Sequence, residues 1–336
     1  MKNIFLYVLS ITCIQLLSIG KIKAQQLEGN LNFHTFADNR EYTQEPQTIF
    51  GARFSPSAGI LLDSLHRFRV GANVLYEFGA KEIKVAPIAY YEYQKLNWNF
   101  LMGVFPRYTL LASYPRVLLT DTLNYYRPNV EGMFMKYETK SFYQNVWIDW
   151  TSRQTNTERE AFLFGSSGNY KRGLFFLSNF FYMLHNSTPK IPNPNEHLED
   201  NGAAVVKIGV DLSHKTILDS LTINVGGITS FERVRDFESK FRTPKGLLVE
   251  FHTQYKQFGI TNSYYHGDGH KLIYGDQFYK HKNYNRTDFS WEPKIAKYVT
   301  CKLVFSLHFT ETSVDNQQAF NLRYNLGARK KIKFLE

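Results

Sequence analysis

The sequence has almost no cysteine. Of its 336 residues only Cys13 and Cys301 carry a thiol, and Cys13 lies in an N-terminal apolar run. With one cysteine beyond that run there is no internal disulfide, so hydrogen bonding and packing must hold the chain. Long apolar stretches are missing too. Past residue 24 no run reaches the roughly 18 apolar residues of a membrane-spanning helix. Basic residues are scattered, with no block before the last few positions and no nucleic-acid motif, which excludes nucleic acid as a partner. The run Tyr264-Tyr265-His266-Gly267-Asp268-Gly269-His270 has two histidines and one aspartate. Its spacing matches no established metal site, so neither metal nor cofactor is expected. His34, His252 and His308 occupy polar strand positions, and Ser306 shares a face with His308. No serine, histidine and carboxylate converge on neighbouring strands to make a nucleophile–base unit. On this reading the chain is not an enzyme.

Aromatic residues, by contrast, are abundant. There are 28 Phe and 22 Tyr, and 43% of residues are apolar, yet mean hydropathy is only −0.36. A transmembrane β-barrel reconciles these values. Its strands alternate lipid-facing and lumen-facing residues, and its aromatics gather at the two interfaces. The N-terminus agrees with export. Met1-Lys2, an apolar run over 4–19, and Lys21-Ile22-Lys23-Ala24 before Gln25-Gln26 have the layout of a secretory signal peptide,. The predicted organisation is a signal peptide over 1–24 and one barrel over 25–336. Without the first segment, 37 basic residues face 30 acidic ones.

The strands carry the argument. Over 67–78, Phe68, Val70, Ala72, Val74, Tyr76 and Phe78 oppose Arg67, Arg69, Gly71, Asn73, Leu75 and Glu77. A period of two sustained over so many residues is a strand long enough to cross a bilayer at a tilt. The segments 299–309, 204–212 and 221–231 repeat the design. Further strands are expected over 29–37, 49–57, 84–95, 98–105, 132–139, 142–151, 159–167, 173–184, 246–256, 258–266, 286–293 and 318–334. The fold class is therefore all-β, an up-and-down antiparallel transmembrane barrel of about 16 strands, within a range of about 14–18. Connections alternate short and long, as periplasmic turns and extracellular loops do; the one after Phe78 is shorter than the rule requires. Two of the expected turns share a tetrapeptide, Leu62-Asp63-Ser64-Leu65 and Leu218-Asp219-Ser220-Leu221. The longest connection, 106–131, has no clean period and contains Pro106, Pro115 and Pro128.

Strand rhythm and loop alternation together resemble a porin-type outer-membrane β-barrel of a Gram-negative bacterium. The stretches Thr35-Phe36-Ala37-Asp38-Asn39-Arg40-Glu41-Tyr42 and Tyr284-Asn285-Arg286-Thr287-Asp288 are similar to those of uncharacterised outer-membrane proteins of the Bacteroides group. The last strand, with Phe334 near the terminus, resembles the closing strand of such barrels. The resemblance implies an outer-membrane location, contact with outer-membrane lipids and a homo-oligomer. It also implies that 106–131, the third long loop, folds inward. Arg107, Arg116 and Arg127, with Asp121 and Glu131, are the candidate pore constriction. Arg67, Arg69, Lys207, Glu250, Lys302 and Arg323 are the candidate lumen wall, because lipid-facing charge at mid-bilayer costs about 2–4 kcal/mol. The expected function is passive, porin-like passage of small polar or anionic solutes. The alternatives are a non-conducting structural or partner-binding barrel of a surface complex, and a barrel-embedded hydrolase.

Overall fold

The computed structural model describes residues 25–332, apart from 112, 192, 194 and 195. The expected signal peptide and Phe334 lie outside the described residues. Seventeen strands form one sheet. In chain order they are β1 (Gln25–Glu41), β2 (Gln47–Leu62), β3 (His66–Glu77), β4 (Lys84–Lys95), β5 (Trp98–Pro106), β6 (Asn129–Glu138), β7 (Phe142–Ser152), β8 (Ala161–Arg172) and β9 (Phe175–Asn186). There follow β10 (Glu199–Asp211), β11 (Ser220–Val234), β12 (Lys245–Tyr255), β13 (Phe258–Gly267), β14 (Asn283–Trp291), β15 (Lys294–Ala296), β16 (Val299–Thr310) and β17 (Val314–Ile332). The three-residue β15 pairs only with β16, beside β14. The other sixteen form the barrel. β17 pairs antiparallel with β1 along the whole of β1, and β1 pairs with β2, so the sheet closes and no edge is left,.

Lipid-facing and lumen-facing residues alternate as the period of two requires. Phe68, Val70, Val206, Ile208 and Phe305 stand exposed on the outside. The strands run further than their apolar alternation. β1 continues to Glu41, and β17 begins at Val314, which shortens the expected loops over 37–48 and 311–317. Backbone pairing with both neighbours carries these strands above the apolar belt, where polar side chains alternate without a hydrophobic signal. The two copies of the Leu-Asp-Ser-Leu tetrapeptide diverge. Asp63 and Ser64 both have positive φ, as a tight mirror-image hairpin turn demands,. Asp219 instead precedes β11 and accepts a hydrogen bond from the Lys256 amide.

The connection between β5 and β6 folds into the barrel. Short helical turns over Tyr108–Leu111 and Leu123–Tyr126 shape it. Leu111, Tyr114, Val117, Leu118, Leu119 and Leu123 are buried against inward-facing residues of the wall such as Phe105, Phe134, Leu163 and Val205. The chamber wall makes room for it. A Cβ on Gly165 would lie 2.2 Å from the Trp147 ring. The glycine lets Trp147 lie flat enough to donate from Nε1 to Tyr114 Oη at 2.8 Å. At the loop's base Arg107 forms an ion pair with Asp149, both buried, and donates to the carbonyls of Arg127 (2.8 Å) and Asn129 (2.9 Å). Removing one partner of a buried pair leaves the other charge uncompensated. Arg107→Ala is expected to cost about 3–5 kcal/mol, read as a lower urea midpoint for the refolded protein in detergent; a midpoint within error of wild type would contradict this anchor.

Candidate functional site

The inward loop divides the interior. It is stitched to the connection between β13 and β14 by two backbone bonds, Thr120 N to Tyr274 O (2.8 Å) and Asp276 N to Arg116 O (2.9 Å). Asn201 adds a side-chain bond to the Lys271 carbonyl at 2.9 Å. On the β1–β4 side the division is a ring stack. Phe36 of β1 and Tyr125 of the loop lie 4.6 Å apart, flanked by Ile49 and Leu75. Arg53 of β2 holds the loop backbone there by donating to the carbonyls of Asn124 (3.0 Å) and Tyr125.

Above this septum, at the long-loop end, is a chamber of about 350 Å³. Arg40, Tyr42, Asp121, Asp276, Arg286 and Asp315 are among its lining residues. Its charges form a network. Arg286 contacts Asp288 at 2.7 Å and Asp276 at 3.7 Å, and Arg116 contacts Asp121 at 2.7 Å and Asp288 at 3.2 Å. Asp38 pairs with Arg40 at 2.7 Å. Burial disfavours the charged form of Asp121, but Arg116 and Arg286 beside it outweigh burial and hold its carboxyl below the usual range. The side chain remains 43% exposed, into the chamber. At Asp276 burial wins, and the carboxyl is pushed up despite Arg286. One carboxylate is thus kept ionised while its neighbour is biased toward taking a proton, a division that suits acid–base work. Asp276 is held in place because its Oδ1 accepts from the Phe278 amide at 3.1 Å.

Below the septum, toward the short turns, is a larger chamber of about 710 Å³. Its roof is Pro106, Tyr108, Asn124 and Pro128 of the loop. Its wall includes Glu28, Asn32, His34, Arg53, Arg69 and Arg323.

The predicted site residues separate into different places. Arg116 and Asp121 belong to the upper chamber. Arg107 is buried in the loop's anchor, and Arg127 contributes its carbonyl to that anchor. Glu131 shares the outward face of β6 with Met133 and Met135, since alternation from the inward Phe134 turns it away from the lumen. On the wall, Arg67 pairs with Glu28 (2.8 Å) and Glu92, and Arg69 pairs with Glu28 at 2.8 Å. Lys207 binds both oxygens of Glu250 at 2.8 Å. Lys302 meets Glu292 at 2.6 Å near the short-turn end. Arg323 lies over the Tyr108 ring, 3.8 Å from its centroid.

Sequence reasoning passed over Asp276, Asp315, Arg286 and Asp288 as site residues. A signal existed for part of this set. Asp38 and Arg40, like Arg286 and Asp288, are opposite charges two residues apart on a strand, which places each pair on one face. The two stretches that resemble Bacteroides-group proteins therefore supply adjoining parts of one chamber. A serine–histidine contact was also missed. Ser230 Oγ lies 2.8 Å from His270 Nδ1 and 2.8 Å from Glu232 Oε1, with all three side chains buried. The carboxylate engages the serine rather than the imidazole, and His270 Nε2 has no partner. That is not a relay for activating a nucleophile.

A family model described as lipid A 3'-O-deacylase-type matches residues 19–331. This overturns the expectation that the chain is not an enzyme, because that description indicates a hydrolase. No curated protein matches the sequence. Among solved structures, a loop L8 deletion mutant of OmpT, an outer membrane protein of Vibrio cholerae, aligns with a TM-score of 0.59 at 13% identity, covering 90% of this chain and 100% of that one. Pseudomonas aeruginosa OccK8 (OprE) aligns with a TM-score of 0.56 at 10% identity, covering 90% and 98%. A triple mutant of the Rh. blastica porin aligns with a TM-score of 0.51 at 10% identity, covering 89% and 100%. These likenesses show a closed, porin-like β-barrel fold, as the strand rhythm indicates.

His270 yields a test of how the connection between β13 and β14 is held. Burial and then the nearby Arg242 bring its imidazole down from the ordinary 6.5 to about 4. Between those values the unfolded chain binds a proton that the folded chain refuses, so stability falls as pH drops from 6.5 to about 4. The total is on the order of 3 kcal/mol. The urea midpoint of wild type should decline over this window and that of His270→Gln should decline less; equal slopes would refute the assignment.

Proposed function

Because the chain belongs to the lipid A 3'-O-deacylase-type family, we propose that it is an outer-membrane hydrolase that cleaves an acyl ester of a lipid-A-type glycolipid in its long-loop chamber. The observation that carries this reading is the pairing of an ionised Asp121 with a proton-accepting Asp276 beside Arg286, in a cavity that opens at the end of the barrel where the long loops lie. Long loops mark the extracellular side of such barrels. In the reaction, water adds to the acyl carbonyl while Asp276 takes its proton. The tetrahedral oxyanion forms beside the guanidinium groups of Arg40 and Arg286. The ester C–O bond then breaks, and the proton passes to the departing alkoxide, leaving a carboxylic acid and an alcohol. The ring stack of Phe36 and Tyr125 below the chamber keeps it from draining straight into the lower one.

Passive passage of small polar or anionic solutes is the second reading. Two polar chambers in line, separated on one side by a single layer of rings, favour it. Both readings are open to one preparation. Refolded protein incubated with vesicles containing lipid A should release fatty acid, measured by mass spectrometry. Asp276→Asn should lower the rate by about 100-fold or more, the usual scale for losing a general base. Since that base works deprotonated, wild-type rate should fall with pH through an apparent pKa above the ordinary carboxylate range. Absence of release by wild type would overturn the hydrolase reading. Stable single-channel steps in a planar bilayer would then support passage instead.

A further inference from the structure

The arginines of the two chambers are treated differently. In the upper chamber Arg40, Arg116 and Arg286 each meet a carboxylate. In the lower chamber Arg69 does so as well, through Glu28. Arg53 and Arg323 do not: among the described residues no carboxylate forms an ion pair with either. Arg53 spends Nη1 and Nη2 on the carbonyls of Asn124 and Tyr125, and its buried Nε has no partner. Arg323 rests on the face of Tyr108.

The barrel's register brings these two together. His34 of β1 stands directly opposite Arg53 of β2 on one side and opposite Arg323 of β17 on the other. Residues so paired have Cβ atoms roughly 4.5–5.5 Å apart. Three strands therefore place Arg323, His34 and Arg53 in a single row across the chamber wall. His34 bonds Asn321 through Nε2 at 2.9 Å, and its buried Nδ1 has no partner. Two residues nearer the short turns, the same three strands carry Asn325, Asn32 and Ser55 in register. Those are neutral donors and acceptors lining the same cavity. Like charges set across one strand from each other repel, and a guanidinium in a protein wall costs free energy unless a counter-charge meets it. Water in the chamber offsets part of that cost. An oxyanion seated on the row would offset more, because guanidinium groups recognise carboxylate and phosphate oxygens through paired N–H donors.

We propose that the lower chamber is an oxyanion-binding site, open toward the short-turn side, which takes the phosphate or carboxylate group of a small solute on Arg323, Arg53 and His34. It is distinct from the long-loop chamber and does not depend on hydrolysis there. Arg53 has a second task, holding the septum, so Arg323 is the cleaner position to change. The test is thermal unfolding of the refolded full chain in detergent, titrated with inorganic phosphate and separately with acetate, at constant ionic strength. Ligand binding to the folded state raises the midpoint in proportion to its occupancy. At least one anion should raise the wild-type midpoint saturably; phosphate alone would assign a phosphoryl ligand, acetate alone a carboxylate. Arg323→Gln should weaken that response about tenfold or more, read as the anion concentration at half-maximal shift. Arg323→Lys keeps the charge but loses the paired donors, and should bind about threefold or more weakly than wild type, which keeps the test decisive if the Gln variant fails to fold. No saturable shift in wild type with either anion, or a Lys variant that binds as wild type does, would overturn the proposal.

Discussion

The interior of this barrel depends on the anchoring of one loop. A closed sheet of sixteen strands leaves a lumen too wide for the wall's own side chains to fill. The loop between β5 and β6 fills part of it, and Arg107 sets where it enters. The ion pair with Asp149 and the bonds to the Arg127 and Asn129 carbonyls tie both ends of the loop to the wall at one point. From there the apolar residues Leu111 to Leu123 have one place to go, the inward-facing aromatic patch that includes Phe105, Phe134 and Trp147. Once they are buried, the remaining residues of the loop become both the roof of one chamber and the floor of the other.

Electrostatics then gives the two chambers different characters. The upper one is a neutralised network, in which each arginine faces acids and the acids differ in their readiness to hold a proton. The lower one has a row of basic groups facing polar but uncharged neighbours. Both exist because strands in a barrel cannot move independently. A side chain's height and its neighbours are set by register, so charges are held at fixed separations whether or not they compensate one another. Family membership and barrel architecture point in different functional directions only if the barrel is taken as an open tube. A lumen closed partway by a loop leaves room for a separate pocket toward each mouth.

The all-β barrel and its count of about sixteen strands follow from the sequence pattern, and the inward folding of the third long loop from the resemblance to porin-type barrels. An alternation such as Phe68 to Phe78 against Arg67 to Glu77 is a local property, and the bilayer imposes it on each strand separately. The lumen-facing register of Arg67, Lys207 and Arg323 follows from the same period of two. The sequence did not determine which residues meet. Asp276 and Asp121 are separated by half the barrel's strands in chain order, and Arg53, His34 and Arg323 come from strands at opposite ends of the chain. They are adjacent only because β17 closes on β1 and two loops fold inward against each other. Closure and loop packing are cooperative, long-range events, with no periodic trace in any one segment. Glu131 shows the same limit from the other side: as a charge next to a loop it reads as part of a constriction, and one residue of strand register turns it outward. Local alternation decided that there would be a barrel, and the tertiary pairing decided what its interior holds.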